Sequence, residues 1–297
     1  MSEIVLPRRQ TGIARRRLRF LVWTFRGSPS TLLGLVVVTG FLVLAAIGPW
    51  LVPDPRDATG AMHLAQRLQP PSAAHWFGTD EMGDDIYTRV IIGTRTSLWV
   101  GLTITGVAML IGVPLGIVAG YRGRVLRAVI MRITDVFLAV PGLVLALAIV
   151  AALGPGTLHG VVALSLVWWP GYVRLIEAKA LTLRSEPYVE AARTMGAGHR
   201  WILCRHILPN CVSPLVVKAS MDMGLAVLAA ASLGFIGLGA KPPAPEWGAM
   251  ISVARSYMPD QWWYSFFPGL FIFLTVLGFS LLGDGLRDIL DPRSARG

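Results

Sequence analysis

A chain of 297 residues that is 54% hydrophobic and only 15% charged is no ordinary soluble domain, in which about a quarter of the residues carry charge. Its mean hydropathy of +0.60 and net charge of +10 fit a polytopic membrane protein with its Lys and Arg in short inner loops. That placement speaks against a nucleic-acid-binding face, and two cysteines, Cys204 and Cys211, are too few for a disulfide framework.

Residues 1–29 form a basic tail with Arg8, Arg9, Arg15, Arg16, Arg17, Arg19 and Arg26. The apolar run at 30–52 is too long for a signal-peptide core and long enough to cross a bilayer. A connection at 53–94 follows, containing "HWFGTDEMGDDIYTRVIIG". Thr79 before Asp80 and Glu81 reads as a helix start, since a side-chain oxygen caps free amides and acids favour the positive end. Asp84 and Asp85 read as a solvated helix face. Paired catalytic carboxylates and calcium ligands are the alternatives, and the spacing lacks the EF-hand pattern.

The core, residues 95–290, holds five further apolar runs at about 96–120, 128–152, 158–178, 212–240 and 266–290. Each contains Gly or Pro, which membrane helices tolerate when neighbours satisfy the freed backbone groups. Pro170 interrupts the fourth run. Basic residues fix the orientation: Arg122, Arg124 and Arg127 fall in the second connection, and Lys179, Arg184, Arg193, Arg200 and Arg205 in the fourth. "LGPGTLHG" has none, and the loop at 241–265 has only Lys241 and Arg255. The expectation is an all-α integral membrane protein of six transmembrane helices with both termini cytoplasmic, ending in a tail at 291–297.

Several chemistries are missing. No Gly-x-x-x-x-Gly-Lys-Ser/Thr occurs, and none of the three lysines follows a glycine, so the chain has no phosphate-cradling loop of its own. His199 and His206 lack partners at zinc-ligand spacing. The glycines of "LGFIGLGA" suit close helix packing better than a dinucleotide. Asp222, in "KASMDMGLAVLAA", is the one acid expected near the bilayer midplane. It reads as a structural acid bonded inside the bundle, with a proton relay in an ion-coupled carrier as the alternative.

Between the fourth and fifth runs lies a polar segment, "EAARTMGAGHRWILCRHILPN", residues 190–210. Pro187 suits a first helical turn and Gly196 suits a left-handed helix end. A second short helix is expected from about Gly198 to Leu208, stopped by Pro209. The segment 186–210 then forms a helix–turn–helix outside the membrane. Ala191 and Ala192 leave room for close approach, and Glu190 offers a carboxylate to a basic partner.

These residues resemble the EAA loop of ABC importer permeases: "EAA" at 190–192, Gly196 four residues on, and "ILP" at 207–209. The ending "HILPN", with His206, Leu208 and Pro209, is similar to the dipeptide, oligopeptide and nickel branch. "HWFGTDEMGDD", "WWPGYVRLIEAKALTLRSEPYVEAARTMGA", "GFIGLGAKPPAPEWGAMI" and "FFPGLFIFLTVLGFSLLGDGLRDILDPR" agree, covering about residues 75–293. The chain departs from the family at Asp84, where Arg is frequent, at Ala230 before Ser232, where Glu is frequent, and at Ser280, where Asn is favoured.

The resemblance implies a type I permease fold in a bacterial cell membrane and a role without catalysis. It implies a second homologous permease, two cytoplasmic ATPases that bind ATP and Mg, an extracytoplasmic substrate-binding protein, and di- or oligopeptide cargo, with nickel, glutathione or another small solute as alternatives. The chain itself would bind no cofactor, metal or nucleic acid. Glu190, Ala191, Ala192, Gly196, His206, Leu208 and Pro209 would dock the ATPase, while Asp222 and Ser232 are candidates for the pathway. Trp247, Trp262 and Trp263 are expected to anchor at the membrane interface in at least two cases, with contact to the binding protein as the other role.

Overall fold

The computed structural model describes residues 29–290; the tail assignments at 1–28 and 291–297 lie outside them. The described elements are all helical. Five helices are long and apolar enough to cross a membrane, and a bent pair brings the count to six.

Helix α1 (Pro29–Leu51) leads into a short-turned connection, and helix α2 (Ile86–Tyr121) then runs for 36 residues. At 1.5 Å per residue that is about 54 Å, well beyond the ~30 Å of a hydrocarbon core. It begins at Ile86 rather than near residue 96 because Asp85 caps it, Oδ1 accepting the Thr88 amide at 2.8 Å. Thr79 starts no helix. It forms an isolated antiparallel bridge with Asp85, and its hydroxyl oxygen accepts the Gln69 amide at 2.8 Å.

Asp84 and Asp85 are not a solvated face. Both are buried, as are Asp57 and Asp80, because the connection folds back into a small polar layer on the end of α2. Asp80 accepts from Arg89 Nη1 at 2.6 Å and from the Met82 and Asp84 amides. Asp84 accepts the Met62 amide at 2.9 Å, and Asp85 pairs with His75 Nδ1 at 2.9 Å. The acids tie the turns of the connection to one another and to α2.

The expected third span is two helices, α3 (Arg124–Ala139) and α4 (Gly142–Leu153), meeting at 86°. Val140 is extended, with φ −97° and ψ 133°, as residues before proline tend to be, and Pro141 has no amide to continue the helix. Pro170 has the opposite outcome, since α5 (Thr157–Arg184) continues through it. Helix α5 lies close along α2, where Gly112, Gly116 and Gly120 recur every fourth residue. A Cβ at these positions would stand 2.5, 2.8 and 2.7 Å from the Cβ atoms of Tyr172, Ile176 and Ala180. Small residues let the two backbones approach.

Two short helices, α6 (Pro187–Thr194) and α7 (His199–Ile202), follow. A π-helical turn at Leu203–Ile207 joins α7 to α8 (Leu208–Phe235). Past it come α9 (Trp247–Ala254) and α10 (Trp262–Leu290). Gly234 abuts this layer, since a Cβ there would lie 2.5 Å from Glu246 Oε2. Glu246 in turn caps α9 by accepting the Gly248 and Ala249 amides at 2.9 Å.

Interface anchoring is the wrong role for two of the three tryptophans. Trp247 is fully buried, donates its indole N–H to the Val90 carbonyl at 3.1 Å and packs edge-on to Phe41 and Phe271. Trp263 is buried too, and Trp262 alone of the three is exposed. Trp247 opens α9 and turns inward onto α2, while the Trp263 indole lies against Gly78 of the folded-back connection.

Candidate functional site

The segment at 187–209 is built locally and then clamped. Pro187 opens α6, whose preceding residue Glu186 is extended, with φ −70° and ψ 138°. Gly196 closes it with φ +86°. The Ala197 amide bonds the Ala192 carbonyl and the Gly196 amide bonds the Arg193 carbonyl, both at 3.0 Å. This is the paired closure of a Schellman ending, which favours glycine at the left-handed position.

One face of the pair is anchored. Val189, Ile202 and Ile207 are fully buried with Tyr121 of α2, Ile176, Ala180 and Leu183 of α5, and Cys211 of α8. Tyr121 Oη also meets His199 Nδ1 at 2.9 Å. The other face is bare. Glu190, Ala191, Arg193, Arg200 and Arg205 are exposed, and so are the large apolar side chains of Met195 (82%) and Trp201 (51%). Among the described residues the Glu190 carboxylate makes no ion pair.

Of the residues singled out in the sequence, the structure brings Glu190, Ala191, Ala192, Gly196, His206, Leu208 and Pro209 to one end of the bundle. Ala192 is buried against the anchor, whereas Glu190, Ala191, Gly196, Leu208 and Pro209 are exposed. His206 sits between the rings of Tyr188 and Trp201, at 5.5 and 4.8 Å, with a buried Nε2 that lacks a hydrogen-bond partner. Met195 and Trp201 escaped the sequence reading; the available signal was large apolar residues inside an otherwise polar segment.

Pro209 does not end the second helix. The Leu208 amide reaches back five residues to the Leu203 carbonyl, and the chain stays helical from His199 to Phe235. Proline is accommodated as the second residue of α8 because the π turn just before it shifts the hydrogen-bond register. Asn210 Nδ2 also caps the His206 carbonyl at 2.6 Å.

Asp222 and Ser232 lie elsewhere, and ten residues apart on α8 they are not brought together. Ser232 bonds the Leu228 carbonyl of its own helix at 2.8 Å. Asp222 is buried and paired with Lys218, Nζ lying 3.0 Å from Oδ2 and 3.2 Å from Oδ1. Lys218 also faces the Tyr172 ring at 5.1 Å. The i,i+4 spacing of Lys218 and Asp222 is the sequence signal for this pair.

Potential metal ligands converge at Asp54, Asp57 and His63, whose ligand atoms lie within 4.8 Å of one another. Arg56 already grips both Asp54 oxygens, at 2.7–3.1 Å, which leaves that group ill suited to a second cation.

Comparison with known proteins is consistent along the whole chain. A profile described as "Binding-protein-dependent transport system inner membrane component" matches residues 112–296. One described as "N-terminal TM domain of oligopeptide transport permease C" matches residues 16–71. The chain is 47% identical to the probable D,D-dipeptide transport system permease protein DdpC of Escherichia coli K12, across 99% of this chain and 96% of that protein. It is 44% identical to the dipeptide transport system permease protein DppC of Alkalihalophilus pseudofirmus, across 88% and 85%. It is 48% identical to the glutathione transport system permease protein GsiD of Pectobacterium atrosepticum, across 85% and 84%. Among solved structures, the inward-facing MetNI methionine ABC transporter aligns with a TM-score of 0.55 at 20% identity. That alignment covers 68% of this chain and 97% of the other, which shows a common fold. With a family profile across more than half its length and relatives above 40% identity along most of it, the chain belongs to the binding-protein-dependent inner membrane components, the multi-pass permease subunits of bacterial ABC importers.

Proposed function

We propose that the chain forms half of the translocation pathway of an ATP-driven peptide importer and takes its power stroke through α6, α7 and the π turn. A second, similar permease supplies the other half. Two ATPase subunits, holding ATP and Mg, grip the exposed face of Glu190, Ala191, Met195 and Trp201, and a binding protein delivers cargo to the opposite end. The basic residues around α6 and α7 support a cytoplasmic location for that end and for both termini. The relatives named for D,D-dipeptides, dipeptides and glutathione support a short peptide as cargo.

The observation that carries the mechanical part is the continuity of His199–Phe235: a half-exposed handle and a membrane-crossing helix are one piece. Moving an inward–outward equilibrium from 1:99 to 99:1 takes roughly 5.5 kcal/mol of differential binding. A clamped helix pair transmits that work, and a loose loop dissipates it. ATPase closure then moves α7 and α8 as a rigid body and swings access across the membrane.

The test uses the reconstituted complex. Gly196→Val strains a left-handed position by about 1–2 kcal/mol, and Glu190→Lys reverses the charge on the docking face. Both variants are expected to reach the membrane and to lose uptake by about tenfold or more, the rate counterpart of about 1.4 kcal/mol. Uptake at the wild-type rate in either variant defeats the handle assignment. Uptake that survives ATP depletion with ion gradients clamped defeats the importer reading itself.

A further inference from the structure

A membrane helix rarely spends polar side chains without return, because each costs free energy in hydrocarbon. Helix α8 carries Asn210, Ser213, Lys218 and Asp222 on one side, and all four line a single open cavity of about 720 Å³. Lys179 of α5 and Arg287 of α10 complete its polar wall. Lys218 and Asp222 lie inside the span-length helical unit His199–Phe235, one α-helical turn apart. Lys179 and Arg287 lie near the ends of their helices on the α6–α7 side. The cations thus follow one wall of the cavity, with Lys179 and Arg287 on the handle side of it.

The charges do not cancel. Asp222 neutralises Lys218 at 3.0 Å, whereas Lys179 and Arg287 make no ion pair among the described residues. The cavity keeps two positive charges. Asp222 and the face of Tyr172 hold the Lys218 ammonium in place, and with three donors on its head group it has hydrogen bonds to spare. A solute crossing a low-dielectric region is accommodated where its own charge meets an opposite one. Charge-assisted bonds from ammonium and guanidinium are the natural receivers of a carboxylate.

We propose that this cavity is an anion subsite on the translocation pathway, in which Lys218 and then Arg287 and Lys179 receive the C-terminal carboxylate of the transported peptide. The proposal rests on the peptide-importer reading above. The subsite selects for a free carboxylate and draws it toward the α6–α7 end.

The experiment measures uptake by the full reconstituted complex with its binding protein. Each of a panel of radiolabelled di- and tripeptides is compared with its own C-terminal amide. The quantity read is the free-acid to amide ratio of uptake rates. The binding protein's own preference is common to all complexes and cancels when variants are divided by wild type. Lys218→Gln with Asp222→Asn removes the ion pair without stranding a charge. Lys179→Gln with Arg287→Gln leaves the buried Asp222 and its ion pair untouched and serves if the first pair fails to assemble. Each double variant is expected to lower the ratio by about fivefold or more, as loss of a charge-assisted bond would.

An unchanged ratio in both doubles overturns the proposal, as does an equal loss of uptake for acid and amide, which marks a structural role only. Rates that follow the anionic-lipid content of the vesicles and ignore the peptide terminus overturn it in favour of a lipid-phosphate site. A wild-type complex that carries no peptide in either form fails at the earlier step and takes the cargo assignment with it. Wild-type transport with an unchanged ratio removes the carboxylate subsite alone.

Discussion

Asp80 stands in the polar layer outside the membrane-crossing helices, with no exposed surface. It has an arginine at 2.6 Å and two backbone amides, yet its carboxyl is pushed up from 3.8 to about 6 because burial outweighs those partners. The folded chain therefore holds the Asp80 proton more tightly than the unfolded chain between those two values. Stability from this group is greatest at the acid end and is lost as pH rises through the window, by up to about 3 kcal/mol for two pH units. Thermal melts of the purified permease from pH 4 to 7 should show this slope, and Asp80→Asn, which keeps an oxygen to accept the amides of Met82 and Asp84, should flatten it. Equal slopes in the two proteins would contradict the desolvation argument. The sequence could not disclose this layer. A run of acids looks solvated in one dimension, and only the fold brings His75, Met62 and Arg89 to Asp85, Asp84 and Asp80.

At the scale of elements, the most extensive helix pairing is α2 against α5, and three glycines let the two backbones approach. Gly116→Leu would drive a side chain into Ile176 and the Val173 carbonyl, both 2.8 Å from the added Cβ. Overpacking of this kind costs about 1–3 kcal/mol. Gly106 is on the same helix, exposed, with nothing within 4 Å of an added Cβ, so Gly106→Leu is the matched control and should melt within a degree or two of wild type. Similar losses in both variants would refute the packing account. Apolar run length was enough to find the five span-length helices and the segment that forms the bent pair. What proline does inside them was not legible. Pro141 ends a helix, Pro170 is absorbed, and Pro209 follows a π turn. The outcome depends on what packs around the freed carbonyl and on whether another donor, such as Asn210 Nδ2, reaches the backbone nearby.

For the whole molecule the decisive feature is phase. From His199 to Phe235 the chain is one 37-residue helical unit, about 55 Å long at the α-helical rise. The π turn within it sets how the handle is rotated about the membrane helix. Its extra residue lets Ile202 and Ile207 both point into the anchor while Trp201 faces out. Deleting Cys204, an exposed residue of that turn, would convert the i→i+5 ring to an α turn. Everything before it would then rotate by about 100° relative to α8. The anchor contacts of α7 and the membrane contacts of α8 could not both survive, and Trp201 would leave the docking face. We expect the deletion variant to assemble with weakened ATPase binding and to lose peptide-stimulated ATP hydrolysis by about tenfold or more. Cys204→Ala, which keeps the residue count and hence the phase, should hydrolyse ATP at the wild-type rate. If the deletion couples as well as the substitution, the handle and the membrane helix do not move as one body. The stroke would then have to enter through another contact.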